Sequence, residues 1–481
     1  MTTSERSFFG REELLARLSA ELHQVSSSSS GRMIGLRGRR QIGKSTAVEK
    51  FVEDTGTPYV FTTGIRGSSH SEQLDRAGED ILRSRHPLHA EAGEPPRTWR
   101  EWFREIEDAA RTHPVIVVMD EFPWMGQSAP SLESELQTAW DRHLERLPVL
   151  LILVGSDVSL MDRLVEYDRP LYGRLALIPV EPLNPAEVAS ALPEFSAFEQ
   201  MDAYLVTGGY PRLVADIVRS GAPSTRDYVK LAFQDAYSAL LTVGRLSLAS
   251  EFPESHIAYQ VLAAAGANDV GHASFKNMLA HIGDSGDRAN QDNAVARALR
   301  MLTDTKGLLV KEVPAWASPK TNVRRYRIAD PYLRFWFRYI ERRHDDIARG
   351  RADLAVEAFE RDWESWRGRT VEPVVRRALD RIATRDERLR GVERVEAWWT
   401  RDGSMEVDAV GQTRDHTAFV GSIKWRERSS FEDKDLRELV EHRTHVPRAE
   451  NSLLAAVCPD GTAPQGADLV FSADDILAAW R

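Results

Sequence analysis

Residues Gly38-Arg39-Arg40-Gln41-Ile42-Gly43-Lys44-Ser45 satisfy the pattern G-x-x-x-x-G-K-[ST] at every fixed position. The run follows the apolar segment Met33–Leu36 and precedes a helix-like stretch from Thr46 to Val52. Strand, glycine-bearing turn and helix in that order leave few folds open. The turn must wrap its backbone N–H groups around an anion, and the helix that follows aims its positive end at the same point. Lys44 is one of only nine lysines among 481 residues, and the pattern needs a long flexible cation there to reach the β- and γ-oxygens of a triphosphate. Ser45 offers a hard hydroxyl oxygen suited to Mg²⁺. We therefore expect residues Gly38 to Thr46 to hold a nucleoside triphosphate with Mg²⁺.

A chain of 481 residues exceeds what one hydrophobic core serves, so several domains are expected. No apolar run approaches the length of a membrane span; Pro148–Val154 is among the longest. The first residues carry no basic-then-apolar secretory pattern, and the lone Cys458 precludes an internal disulfide and a cysteine-rich zinc module. These features predict a cytoplasmic protein with no membrane partner. A net charge of −10 argues against a surface coated for nonspecific nucleic-acid binding, but leaves room for a local basic patch.

From Phe9 to about Pro182, strand signals (Met33–Leu36, Tyr59–Phe61, Val115–Met119, Leu150–Val154, Leu175–Ile178) alternate with amphipathic stretches (Ser71–Arg85, Trp99–Arg111, Leu132–Arg146). Continuous apolar strands are the mark of a parallel sheet buried on both faces, here a three-layer α/β core over residues 1–182. Residues 183–248 read as a helical lid. Residues 249–345 hold helical stretches near His256–Ala265, Ser274–Ile282 and Asn290–Thr303, then short strands at Leu308–Val313 and Arg325–Ile328, which together suggest a winged helix-turn-helix. After an aromatic cluster (Tyr332, Phe335, Trp336, Phe337, Tyr339), residues 346–481 form a further α/β domain with strands near Val395–Trp399, Glu406–Val410 and Phe419–Lys424.

Val115–Met119 ends in Asp120-Glu121. An aspartate at that strand end can hold the Mg²⁺ shell, and the glutamate can orient or deprotonate an attacking water. The strand Leu150–Val154 should lie beside it and ends at Gly155-Ser156, so Ser156 is a candidate for bonding the γ-phosphate or the water.

Phe9-Gly10-Arg11-Glu12, the loop itself, Asp120-Glu121-Phe122, Gly155-Ser156, Leu171-Tyr172-Gly173-Arg174 and Gly208-Gly209-Tyr210-Pro211 together resemble the archaeal and bacterial P-loop ATPases of the AAA+/STAND group over residues 8–330. The resemblance implies that Phe9, Gly10 and Arg11 lie against the adenine and that Pro211 approaches the base. It also implies that Arg174 senses the γ-phosphate, in cis or from a neighbouring copy in a homo-oligomer.

Between Ala294 and Arg327 stand eight basic residues (Arg297, Arg300, Lys306, Lys311, Lys320, Arg324, Arg325, Arg327) against Asp304 and Glu312. A basic last helix and wing can clamp duplex DNA, and the same module can instead pack against protein. The C-terminal segment resembles the PD-(D/E)xK restriction-endonuclease fold through Glu372, Trp398-Trp399, Asp408 and Lys424. Such sites hold Mg²⁺ on carboxylates and use the lysine to orient water. Strand alternation places Glu406 with Asp408 on one face and Ser422 with Lys424 on another. Ser422 stands where that family has an acid, and Glu406 is the available substitute. Two outcomes stay open: an active nuclease, or a fold that only binds. The favoured functional reading is an ATP-hydrolysing switch controlling the winged helix and nuclease-like domain on or near DNA. The alternative is a signalling or scaffold ATPase with an inactive nuclease fold and no nucleic-acid substrate.

Overall fold

The computed structural model describes residues 8–84, 94–251, 256–267, 278–279, 288–318, 320–427 and 430–481, and it divides into two compact units, Arg11–Pro182 and a second made of Met1–Gly10 with Leu183–Arg481.

Unit Arg11–Pro182 is built on five parallel strands: β1 (Arg32–Arg37), β2 (Tyr59–Thr63), β3 (Val115–Asp120), β4 (Val149–Gly155) and β5 (Leu175–Pro179), in the order β2-β3-β4-β1-β5. Every residue of β3 and β4 is buried, as their unbroken apolar sequences require of strands covered on both faces. Helices α1 (Glu12–Ser28) to α7 (Val158–Arg163) flank the sheet. Among them, α4 (Trp99–Ala110) starts on a Thr98 cap and buries Trp99, Trp102, Phe103 and Ile106, the spacing of one helical face. Its Trp102 indole donates to the Ala77 carbonyl at 2.8 Å, which satisfies that N–H in the core. The stretch Leu132–Arg146 is not one helix: α6 (Leu132–Arg142) breaks at His143, and a 3₁₀ turn covers Leu144–Arg146.

The second unit opens with helices α8 (Pro185–Ser190) to α12 (Ala239–Glu251), followed by α13 (His256–Ala267) and a helix over Arg288–Arg300. The expected helix Ser274–Ile282 lies outside the described residues apart from 278–279. Strands β6 (Leu309–Glu312) and β7 (Arg325–Ile328) pair antiparallel as an isolated ribbon. A 32-residue helix, Ala352–Ala383, then leads into a five-stranded sheet in the order β12-β11-β10-β9-β8: β8 (Arg394–Trp399), β9 (Glu406–Gln412), β10 (Thr417–Ile423), β11 (Leu453–Val457) and β12 (Leu469–Phe471). The pairs β8–β9 and β9–β10 are antiparallel, whereas β10–β11 and β11–β12 are parallel.

The aromatic cluster expected to mark a boundary is instead interior. Phe335 packs on Tyr339, Phe359, Trp363 and Trp366, with ring centroids 5.1 to 6.5 Å apart, and all five rings are buried. Phe233 of α11 (Thr225–Gln234) joins the same stack, so lid helix and long helix share one core.

Candidate functional site

The phosphate loop hangs between β1 and α2 (Lys44–Thr55) in a conformation only its sequence tolerates. Gly43 has φ +84° and Gln41 φ +63°, both left-handed. A Cβ on Gly38 would lie 2.4 Å from the Val180 carbonyl oxygen, so no larger residue fits there. Lys44 is buried, and its ammonium donates to the loop's own Gly38 and Arg39 carbonyls at 2.8 Å each. Burial pulls its pKa down to about 8, against the opposing pull of Glu121 and Asp120. The ammonium is thus held at the centre of the loop by two carbonyl bonds.

Arg11, expected against the adenine, has a different task. Its guanidinium donates to the Ile42 carbonyl at 2.5 Å and the Glu181 carbonyl at 2.6 Å, so it braces the back of the loop. Gly10, at φ +63°, has Glu187 against it.

Asp120 and Glu121 stand at the end of β3, one strand removed from β1, with β4 between them. Ser45 Oγ donates to Asp120 Oδ1 at 3.0 Å, so the first turn of α2 and the end of β3 present a hydroxyl and a carboxylate side by side. Burial pushes the Asp120 carboxyl up to about 6, with the Ser45 hydrogen bond opposing. Both are hard oxygen donors of the kind that suits Mg²⁺. Glu121 has φ +50°, an unusual conformation for a residue with a bulky side chain, and it opens α5 (Phe122–Ser128). Close beside it, a Cβ on Gly64 would approach the Glu121 carbonyl oxygen to 2.6 Å. Ser156, at the end of β4, donates its Oγ to Glu121 Oε2 at 2.8 Å. In the structure Ser156 therefore orients the glutamate.

Arg174 is tied down elsewhere: its Nε and Nη2 grip Asp141 at 2.6 and 2.8 Å, and Nη1 donates to the Tyr172 carbonyl at 3.0 Å. Any role at the phosphate in cis requires it to leave Asp141. Pro211 starts α10 (Pro211–Ser220) after the cap residue Tyr210, which follows Gly208 and Gly209, both at positive φ.

The second cluster is a cleft of about 680 Å³ in the C-terminal unit, and it brings together Glu372, Glu406, Asp408, Ser422 and Lys424. The intervening Val407 and Ile423 line the same cleft. Asp408 Oδ2 accepts from the Ile423 N–H at 2.7 Å and from Ser422 Oγ at 3.1 Å, so Ser422 serves as a hydrogen-bond donor where an acid was expected. Burial raises the Asp408 pKa, and burial with the Asp408 charge pushes Glu372 up to about 8. Lys424 Nζ lies 3.9 Å from both Asp435 and Glu438.

Two sequence expectations need correction here. Glu406 does not join Asp408 around a shared centre: its Oε1 takes the Arg325 Nη1 at 2.7 Å, and among the described residues no group of three or more His, Cys, Asp or Glu converges to hold a metal. Nor do Arg325 and Arg327 form an outward basic wing. The guanidinium of Arg325 lies 4.1 Å from the Trp399 ring centroid, and Arg327 pairs with Glu312 at 2.7 Å. The charge count treated these arginines as free, whereas period-two spacing along β7 sends both to the cleft side. Sequence reasoning also missed Arg376, which donates to the Asp408 carbonyl at 2.9 Å and reaches Glu312 at 3.3 Å. Burial raises the Glu312 pKa, but Arg327 and Arg376 together hold it down at about 2.

Comparison with known proteins gives two matches along the chain. Residues 8–217 match the model of an ATPase domain predominantly from Archaea, and residues 336–438 match a model of archaeal and bacterial proteins of unknown function. An uncharacterized protein of Methanocaldococcus jannaschii is 23% identical over 434 residues, spanning 90% of each chain. Among solved structures, a Walker-type ATPase of Pyrococcus abyssi is similar at 19% identity with a TM-score of 0.48, covering 70% of this chain and 98% of that one. The ORC2 protein of Aeropyrum pernix, solved in ADPNP–ADP complexes, is similar at 16% identity and a TM-score of 0.45, covering 74% and 97%. The chain thus joins a segment that matches an archaeal-type ATPase domain to a C-terminal segment that matches proteins of unknown function.

Proposed function

We propose that this protein hydrolyses ATP and that the nucleotide state governs a C-terminal cleft that binds nucleic acid without cutting it. The pairing of Ser45 with Asp120 beside a Glu121 held by Ser156 carries the first half of this reading. A triphosphate in the loop would exchange the Gly38 and Arg39 carbonyls for its own β- and γ-oxygens on Lys44, a charge-assisted bond in a buried setting. Mg²⁺, when bound through Ser45 and Asp120, would supply charge neutralisation at those oxygens. Glu121, clamped at one oxygen by Ser156, keeps the other oxygen to take a proton from water aligned on the γ-phosphate. The matched ATPase-domain model supports this assignment. Phe9, Gly10 and Pro211 are proposed to contact the base, and Arg174 to act on the γ-phosphate once freed from Asp141, from its own chain or a neighbouring copy.

Lys44→Ala tests the site. Titration calorimetry should show most ATP affinity gone; unchanged binding in the variant would remove the loop from the mechanism.

The binding-only reading of the cleft rests on Arg325, which occupies the Glu406 carboxylate that would have to replace the missing acid. A neutral hydroxyl at Ser422 is a poor substitute for an anionic metal ligand. Plasmid and single-stranded DNA should therefore remain intact with Mg²⁺ or Mn²⁺, with or without ATP. Metal-dependent cleavage that disappears in Asp408→Ala would overturn that reading.

A further inference from the structure

A two-stranded ribbon is marginal by itself, so β6–β7 stays where it is only through what it leans on. Its loop tip is pinned to the C-terminal sheet. Ala315 N–H donates to the Ala397 carbonyl at 2.8 Å, and the Trp316 indole donates to Thr417 Oγ1 at 2.9 Å with Arg448 4.5 Å from its ring centroid. Trp316 has φ +66°, a left-handed conformation a tryptophan adopts only when its surroundings impose it.

Along the strands the interface changes character. A second cavity of about 220 Å³ lies against the ribbon, lined by Val310 and Val313 on one side and Pro373 and Val395 on the other. The groove is open and also lined by the charged Lys311, Glu312, Arg376 and Asp380, so apolar contact does not fuse the ribbon to the domain along it. The ion pairs that reach from the strands to the domain are Arg325 on Glu406 and Glu312 on Arg376, while Arg327 pairs with Glu312 within the ribbon. Arg325 also covers the face of Trp399 at the cleft wall. A phosphodiester can take a guanidinium from a carboxylate because it offers the same paired oxygens. Such an exchange would uncover the Trp399 ring, a surface on which a base can stack.

We propose that the β6–β7 ribbon is a strap latched across the C-terminal cleft by Arg325, and that releasing the latch admits a nucleic-acid strand to the cleft. The second clause rests on the nucleic-acid reading above; the first does not.

Hydrogen–deuterium exchange on the full chain, paired with fluorescence anisotropy of a labelled single-stranded oligonucleotide, tests both clauses. Glu406→Gln breaks the latch and keeps every cation, whereas Arg325→Gln breaks it and removes one. In both variants amides of Leu309–Glu312 and Arg325–Ile328 should exchange at least about tenfold faster, because breaking a part-buried pair releases local structure first. Strands β10 and β11 should keep their wild-type rates. Oligonucleotide affinity should rise several-fold in Glu406→Gln. Unchanged ribbon exchange, or equal acceleration across β10 and β11, would overturn the strap. Faster ribbon exchange with wild-type oligonucleotide affinity would overturn the gating. If neither wild type nor variant captures oligonucleotide while the ribbon still loosens, the strap stands and the nucleic-acid reading falls.

Discussion

Glu121→Gln should lower ATP turnover by about 10²-fold or more while leaving ATP bound. The substitution keeps the shape and the Ser156 contact: the amide still accepts the Oγ hydrogen bond that Glu121 Oε2 takes at 2.8 Å. Only the ability to take a proton is lost. The left-handed backbone at φ +50° places the side chain, and glutamine inherits that backbone. Single-turnover phosphate release, measured beside nucleotide affinity, separates the two effects. Equal turnover in variant and wild type would assign the water to another residue. Ser156→Ala should fall between them, since it removes the positioning bond and leaves the base.

The second large effect concerns Arg367, which lies on the long helix and is buried against Asp202 of α9 (Ala197–Thr207), Nη1 to Oδ2 at 3.3 Å. Both side chains are 1% exposed. The guanidinium sits 4.5 Å from the Phe198 ring centroid, and Phe198 stacks on Trp425 of the cleft wall. Breaking a buried pair from one side costs about 3–5 kcal/mol where the remaining carboxylate is charged, and less where it binds a proton instead. Arg367→Ala should lose stability on that scale in urea unfolding followed by tryptophan fluorescence. The loss should depend on pH in one direction. Burial already raises the Asp202 pKa to about 8 despite the opposing Arg367 charge, and removing Arg367 raises it further. A carboxyl with a raised folded pKa contributes stability in acid that is lost as pH climbs through that pKa. The variant should therefore suffer more at pH 9 than at pH 7. A pH-independent loss would mean the pair holds no titrating charge.

These two sites differ in how visible they were beforehand. The nucleotide loop was legible because its residue types are dictated by the ligand, and because β3 and β4 are unbroken apolar runs that end in Asp120-Glu121 and Ser156. Asp202 gave no such signal. One acid in a helix reads as a solvent-facing charge until the Arg367 partner, 165 residues away, is placed against it. The ribbon arginines were visible and misjudged for a related reason: counting charges says how many there are, and says nothing of which way they face. Arg11 shows the same limit, since it was expected against the adenine and its bonds to the Ile42 and Glu181 carbonyls were not anticipated. The residues that line the cleft were named through a family resemblance, and strand alternation only added Glu406 and Ser422 to them. The pairing of Glu406 with Arg325 joins two strands 81 residues apart, and no local pattern encodes it.

The stack of Phe335, Tyr339, Phe359, Trp363 and Trp366 sets where this protein can be cut. A fragment starting near residue 346 would keep three of those rings and strip away the faces that Phe233, Phe335 and Tyr339 cover. Large aromatic surfaces bared in this way drive self-association. A cut that keeps the stack whole must therefore fall before α11 rather than near residue 346.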